Sequence, residues 1–152
     1  MRGLVTTRPT ASRLAPMPDL DPVYDELVRR LSTHESDFRP TDNTTDANTA
    51  RSRKDEAAGD PGSYLLLGAP TERYPDGQMF AGVRKGKRYV SYYLFSVHLE
   101  PGQLDGISPE LRRRMQGKSC FNFTRVDDAL FDELDGLTVR GHDLYAERGL
   151  LR

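Results

Sequence analysis

Apolar residues recur at helical spacing near both ends of the chain. Near the amino end, Asp21 is the predicted N-cap with Pro22 at the first helical position, and the spacing predicts a helix over about 21–34. Its predicted apolar face consists of Val23, Tyr24, Leu27, Val28 and Leu31. Near the carboxyl end, Asp127 is predicted to cap the last helix. The apolar positions of that helix are Leu130, Phe131, Leu134, Leu137, Gly141, Leu144 and Tyr145.

The middle of the chain carries short apolar runs rich in β-branched and aromatic residues, which are typical of strands. The runs predict strands over 63–68, 78–83 and 87–99, with a shorter one at 119–123. Gly86 lies where a tight hairpin is expected to need a positive φ. Both faces of the 87–99 run carry large apolar groups, which indicates cover on both sides or a face that awaits a ligand or partner.

Ser108 is predicted to cap a further helix that starts at Pro109-Glu110, and Gly117 is a suitable residue after the carboxyl end of that helix. The predicted order is therefore helix, polar insertion, three-stranded meander, helix, short strand and helix. Because the strands cluster together, this order predicts an α+β fold. We expect an antiparallel β-meander sheet packed with the N-terminal and C-terminal helices.

Two polar stretches lower the hydrophobic content of the chain to 36%. Residues 1–16 contain three arginines and no acid, and we interpret them as a disordered leader; a targeting segment and an ordered arm are the alternatives. The turn-forming residues at about 41–58 predict a mobile insertion. Residues 17–152 would then form a single domain.

Charge and cysteine content exclude several classes of protein. The chain has 22 Lys and Arg residues against 23 Asp and Glu residues, so it is not a generally basic nucleic-acid binder. Cys120 is the single cysteine, which excludes an intramolecular disulfide and a cage of cysteine ligands. Since no apolar run approaches the ~18 residues of a membrane span, we expect a cytoplasmic protein without a membrane partner.

Clustered acids on the last helix form a candidate metal site. Asp128, Asp132 and Asp135 follow helical spacing, and hard cations prefer clustered oxygen ligands. The alternative interpretation is a solvated helix start, where acids favour the helix dipole.

Basic residues at the predicted hairpin form a candidate nucleic-acid contact. Arg84, Lys85, Lys87 and Arg88 lie at or beside its tip and could contact phosphates. Hairpin tips are also charged simply to prevent edge-to-edge association, and the net charge of −1 favours that second interpretation.

The aromatic strand supplies a candidate ligand face that consists of Tyr92, Phe95, His98 and Cys120. Cys120 and His98 could pair as nucleophile and base if their strands were neighbours. A cysteine flanked by Ser119 and Phe121 is more often a small buried residue, and no nucleophile elbow or zinc-protease motif is present. We therefore expect a binding module with no catalytic residues.

Three segments resemble the YdhG-like family of small bacterial domains of unknown function: 86–94, 106–111 and 115–123. The resemblance implies a fold similar to frataxin and YjbR-type proteins, and it supplies no catalytic residues. Some YdhG-like members are described as frataxin-like iron chaperones, which makes iron the cofactor to consider at the acidic cluster. The resulting expectation is a non-enzymatic ligand- or metal-binding module. The alternative is a module for DNA binding, or for protein interaction or homodimerisation, that uses the basic hairpin or the aromatic strand face.

Overall fold

A computed structural model describes residues 19–41 and 62–152, and it confirms the predicted α+β fold with an antiparallel sheet. The predicted leader at 1–16 and nearly all of the predicted insertion at 41–58 lie outside the described residues. The described elements are α1 (Asp21–Leu31), a 3₁₀ turn (Ser32–Asp37), β1 (Arg39–Thr41), β2 (Ser63–Leu67), β3 (Met79–Lys85), β4 (Val90–Leu94), α2 (Ser96–Leu99), a second 3₁₀ turn (Pro101–Leu104), α3 (Pro109–Arg112), β5 (Cys120–Phe123) and α4 (Asp128–Glu147).

The described strands form one antiparallel meander in the order β1-β2-β3-β4-β5. β1 was not predicted, because Arg39, Pro40 and Thr41 have no apolar alternation and belong to a polar stretch of the sequence. The strand forms by backbone pairing with β2, in which Arg39 lies opposite Leu67. Pairing through the backbone needs no apolar side chain, so a sequence pattern gives no sign of it.

The first helix is about three residues shorter than predicted, because hydroxyl groups compete for its last carbonyls. Ser32 Oγ donates to the carbonyl of Arg29 and Thr33 Oγ1 donates to the carbonyl of Arg30, each at 2.8 Å. Such local bonds offer the backbone an alternative to the α-helix, and the chain continues as a 3₁₀ turn. Asp21 was predicted as the N-cap but is the first residue of the helix itself.

The predicted strand at 87–99 was too long at both ends. At its start, Gly86 N–H donates to the carbonyl of Tyr89 at 2.9 Å, so residues 86–89 form the turn. Gly86 is not among the described glycines with a positive φ, so that prediction was wrong. At its end, the backbone N–H groups of Leu99 and Glu100 bond to carbonyls four residues back and close α2, which overrides the β propensity of this stretch.

The carboxyl-terminal helix follows its prediction closely. Asp127 caps it by accepting a hydrogen bond from the N–H of Leu130 at 3.2 Å. Gly141 is required by close packing, since a Cβ atom there would lie 2.2 Å from Ser96 Oγ on α2. α3 has the predicted Ser108 cap but ends at Arg112, and Gly117, with φ +79°, lies in the turn before β5.

α1 and α4 pack on one face of the sheet, and we call the apolar cluster between them the main core. The helices contribute Val23, Leu27, Leu31, Leu130, Phe131, Leu134, Leu137 and Tyr145. The strands contribute Leu66, Phe80, Val83, Val90, Tyr92, Leu94, Phe121 and Phe123. Within 19–41 and 62–152, no helix combines the length and apolar composition that a membrane crossing requires.

Candidate ligand-binding face

The opposite side of the sheet, which we call the second face, is built from the alternate residues of the same strands. Successive strand residues point to opposite faces, so the strand register assigns each residue to its side. The second face comprises Ser63, Leu65, Leu67, Gly82, Arg84, Ser91, Tyr93, Cys120 and Asn122.

One row of the second face is polar across four strands. Ser63 lies opposite Arg84, Arg84 opposite Ser91, and Ser91 opposite Asn122. Ser91 Oγ donates to Asn122 Oδ1 at 2.7 Å, and Asn122 Nδ2 donates to Gln116 Oε1 at 2.6 Å. Ser63 is only 6% exposed, and among the described residues its hydroxyl has no hydrogen-bond partner. A buried polar group without a partner is costly, so Ser63 marks this row as unusual.

The adjacent row is mostly apolar and contains the cysteine. Leu65, Gly82, Tyr93 and Cys120 lie side by side on neighbouring strands. The side chain of Leu65 crosses over Gly82, where a Cβ atom would lie 2.4 Å from Leu65 Cδ2. The row is therefore flattened at β3 by the absence of a side chain.

Cys120 is a half-buried free thiol in this row. Its Sγ donates to Asn122 Oδ1 at 3.4 Å. Burial raises the pKa of Cys120, although hydrogen bonding to Ser91, the nearby charge of Arg84 and hydrogen bonding to Tyr93 act in the opposite direction. A raised pKa lowers the fraction of thiolate, which is the nucleophilic form of cysteine.

A small apolar cluster continues the second face beyond these rows. Leu65, Leu67 and Met79 are buried, and Tyr93 and Phe95 lie half-exposed against them. The second face thus carries a polar row on one side and an apolar cluster on the other.

The residues predicted as a ligand face do not share one side of the sheet. Tyr92 lies in the main core, 2% exposed, with its hydroxyl 2.6 Å from Thr138 Oγ1 of α4. Phe95 and Cys120 belong to the second face, and the exposed His98 has its ring centroid 5.1 Å from that of Phe95. Within the described residues, no hydrogen bond joins His98 to Cys120, whose partner is Asn122.

The predicted acidic cluster surrounds an arginine from α1. Arg30 Nη1 lies 2.8 Å from Asp132 Oδ1 and 2.8 Å from Asp135 Oδ2, and Nη2 lies 3.4 Å from Asp128 Oδ1. Arg30 also donates from Nε to Glu26 Oε2 at 2.7 Å. The single positive charge of this guanidinium is therefore shared among four carboxylates and offsets part of their negative charge.

The electrostatics of this cluster follow from Arg30 and from burial. Hydrogen bonds from Arg29 and Arg30 lower the pKa of Glu26 to about 2. Burial raises the pKa of Asp135, and the charge of Arg30 offsets part of that effect. Across the part of the chain that the structure describes, no group of three or more His, Cys, Asp or Glu side chains is arranged to hold a metal ion.

The four residues of the predicted basic cluster lie in three different places in the structure. Lys85 Nζ lies 2.5 Å from Asp21 Oδ1 on α1, and Arg84 belongs to the polar row of the second face. Lys87 and Arg88 are exposed at the turn. The four side chains therefore do not form one continuous basic surface.

Sequence reasoning missed the polar row itself. The signal was present in two strands, where Ser63 alternates with Leu65 and Leu67, and Ser91 alternates with Tyr93. Joining these positions to Asn122 required the strand register, which the sequence pattern did not supply.

Comparison with known proteins adds no relative. No family model matches this chain, and no curated protein or solved structure matches it either. The resemblance to YdhG-like domains and to the frataxin fold therefore stays a prediction.

Proposed function

We propose that this chain is a non-enzymatic ligand-binding module of the YdhG-like type, and that the second face of its sheet binds the ligand. The observation that carries the proposal is the Ser63 hydroxyl, which is buried without a partner among the described residues, in register with Arg84, Ser91 and Asn122. A ligand that bonds to this hydroxyl would remove the cost of leaving it unpaired.

The composition of the face favours an amphipathic small molecule. A polar head would lie over the row that contains Ser63 and Ser91, and an apolar body would lie against Tyr93 and Phe95. Small-molecule sites commonly combine apolar walls with a few placed polar groups. The raised pKa of Cys120 supports binding over covalent chemistry.

The proposal is tested by an NMR screen with small carboxylic acids that carry an aromatic or aliphatic group. Binding at the second face should shift the methyl signals of Leu65, Leu67 and Met79 and leave that of Leu66 unchanged. Tyr93→Ser should weaken binding about tenfold by removing a half-exposed contact. Val139→Ser is the matched control, since Val139 is an exposed apolar residue on α4.

Three results would contradict the proposal: no shift with any member of the series, shifts confined to α1 and α4, or equal weakening by Tyr93→Ser and Val139→Ser. Alkylation of Cys120 by iodoacetamide gives an independent check. A ligand on the second face should slow the reaction, since Cys120 lies in the same row as Tyr93.

Iron binding at Asp128, Asp132 and Asp135 remains part of the functional hypothesis, although their pairing with Arg30 disfavours it. Anaerobic titration with Fe(II), followed by calorimetry, tests it. Equal binding by the parent and by the triple Asp→Asn variant would reject that site.

The remaining alternatives concern partners and location. DNA binding would use the exposed Lys87 and Arg88 and is rejected if a low-salt gel shift shows no retardation. Homodimerisation through Tyr93 and Phe95 is rejected if sedimentation finds a monomer at high concentration. A cytoplasmic location belongs to the proposal and can be checked by cell fractionation.

A further inference from the structure

Two histidines from distant parts of the chain meet beside the main core. His34 lies in the 3₁₀ turn that follows α1, and His142 lies on α4; their ring centroids are 5.6 Å apart. Both residues are half-buried. The fully buried Phe80 of β3 forms edge contacts with both rings, at centroid distances of 6.2 and 6.5 Å. The pair is therefore held against an apolar surface.

Asp37 connects the histidine pair to other parts of the structure. His142 Nε2 lies 2.8 Å from Asp37 Oδ2, and Asp37 is the last residue of the 3₁₀ turn. The carbonyl of Asp37 accepts a hydrogen bond from the N–H of Arg152 at 2.9 Å. Asp37 thus connects the turn both to α4 and to residue 152.

Charged groups from each neighbouring helix face His34. A groove of about 390 Å³ between α1 and α4 borders it. The charged residues of this groove are Arg29, Arg30, Asp132 and Asp135. Burial lowers the pKa of His34 most, and the charge of a protonated His142 lowers it further; Asp135 and Asp37 act in the opposite direction.

We propose that His34 and His142 form an acid-responsive switch at which the 3₁₀ turn separates from α4 when both rings carry a proton. Two imidazolium rings at this distance repel each other, and Phe80 offers no compensating hydrogen bond. The carboxylate at bonding distance, that of Asp37, contacts His142 and not His34 among the described contacts. Because Asp37 lies on the turn, its bond to a protonated His142 opposes the separation, and the repulsion acts at His34, which has no such partner among those contacts. Separation of the turn lets water solvate His34.

The sign of the effect follows from proton binding. Because the folded pKa of His34 lies below its unfolded value of about 6.5, the unfolded chain binds more protons between these two values. The contribution of His34 to stability is therefore complete above about pH 6.5 and is lost as the pH falls through the folded pKa. The turn should be ordered at neutral pH and looser in mild acid.

The test is an NMR titration of the full chain from about pH 8 to about pH 5, in which each imidazole is followed separately. His34 should titrate below the value of about 6.5 found in unstructured peptides. In His142→Gln, His34 should titrate at a higher pH than in the parent, because a neighbouring positive charge has been removed. His98→Gln is the control and should leave the His34 curve unchanged, since His98 is exposed on α2.

Hydrogen exchange provides the structural readout. Protection factors of the amides of Ser32–Asp37 should fall about tenfold between neutral and mildly acidic pH in the parent, and should change less than about twofold in His34→Gln. An equal fall in His34→Gln would overturn the proposal. The proposal would also be overturned if the pKa of His34 were at or above about 6.5 and did not change in His142→Gln. This second result requires only the parent and one variant. The second face takes no part in these measurements, so their outcome is independent of the proposed ligand site.

Discussion

The two faces of the sheet differ in how their side chains are covered and how their polar atoms are paired. On the face of the main core, helices cover the strands, and Tyr92 and Tyr145 bond to Thr138 and to the carbonyl of Met79. On the second face, half-exposed aromatic rings border a small apolar cluster, and Ser63 has no partner among the described residues. Ser96 of α2, packed against Gly141, is a second buried hydroxyl without a partner in the described part of the chain. The faces therefore differ most in cover: helices bury the main core, whereas the second face keeps half-exposed rings beside Ser63.

If the main core stabilises the fold and the second face binds a ligand, substitutions on the two faces should have different effects. A face that only stabilises the fold should be sensitive to truncation and should contain few unpaired polar atoms. A face reserved for a ligand should tolerate some truncations and should lose binding when they are made.

The largest expected effect comes from neighbouring leucines of β2 on opposite faces. Leu66 and Leu67 are both fully buried. Leu66→Ala should destabilise the protein by about 3–5 kcal/mol because it opens a cavity in the main core. Leu67→Ala should cost about 2 kcal/mol, since half-exposed Tyr93 and Phe95 can move into the space. Urea denaturation measures both, and equal or reversed costs would break the distinction between the faces.

A smaller effect is expected where α1 meets α4. Arg30→Met should destabilise the fold by about 1–3 kcal/mol. The cost is smaller than that of breaking a fully buried ion pair, because solvent screens the largely exposed carboxylates that Arg30 contacts. Arg29→Met should change stability little, since 65% of the Arg29 side chain is exposed.

The Arg30→Met variant should also unfold at a higher pH in acid than the parent protein. The folded pKa of Glu26, about 2, lies below its unfolded value, so Glu26 stabilises the protein fully above about pH 4.5 and loses this contribution as the pH falls toward 2. Arg30→Met should move the loss to higher pH, as followed by circular dichroism in acid. An unchanged acid midpoint would show that Arg30 does not hold the carboxylates.

Adjacent tyrosines of β4 offer a third comparison. Tyr92→Phe should cost about 1–2 kcal/mol, because Thr138 loses a buried hydrogen-bond partner. Tyr93→Phe should stay within about 0.5 kcal/mol, since Tyr93 is half-exposed on the second face. Thermal and urea denaturation of both variants measure the difference. Similar costs would show that the second face uses its polar tips for stability as well.

The smallest expected effect concerns serine hydroxyls. Ser63→Ala should be neutral or should stabilise the ligand-free protein by about 1 kcal/mol, because it removes an unpaired buried group. Ser91→Ala should cost about 1 kcal/mol, because Asn122 loses a donor. Chemical denaturation measures both variants, and a clear loss of stability in Ser63→Ala would show that its hydroxyl is already satisfied.

Residues whose roles depend on local chemistry were predicted well. Asp127 and Ser108 cap helices as expected, and Leu130, Phe131 and Leu134 are buried together on α4. Capping and helical periodicity involve residues within a few positions of each other, so a single sequence carries the information.

The surroundings of the candidate site residues were not predicted from the sequence. Tyr92 was grouped with Phe95 but lies on the opposite face, because side chains alternate along a strand and residues three apart point to opposite sides of the sheet. The acidic cluster suggested a metal, but Arg30 approaches it from α1. Arg30 is about one hundred residues away from these carboxylates in sequence, so no local pattern could indicate that pairing.

The sequence by itself determined the α+β class, the two long helices, the buried stripe of α4 and most of the strands. Hydrophobic periodicity and capping decide these features within short windows of chain. Only the tertiary structure decided the strand register, the partner of each charge and the meeting of His34 with His142. Those features depend on contacts between distant segments, whose geometry is set by the packing of the whole sheet against its helices.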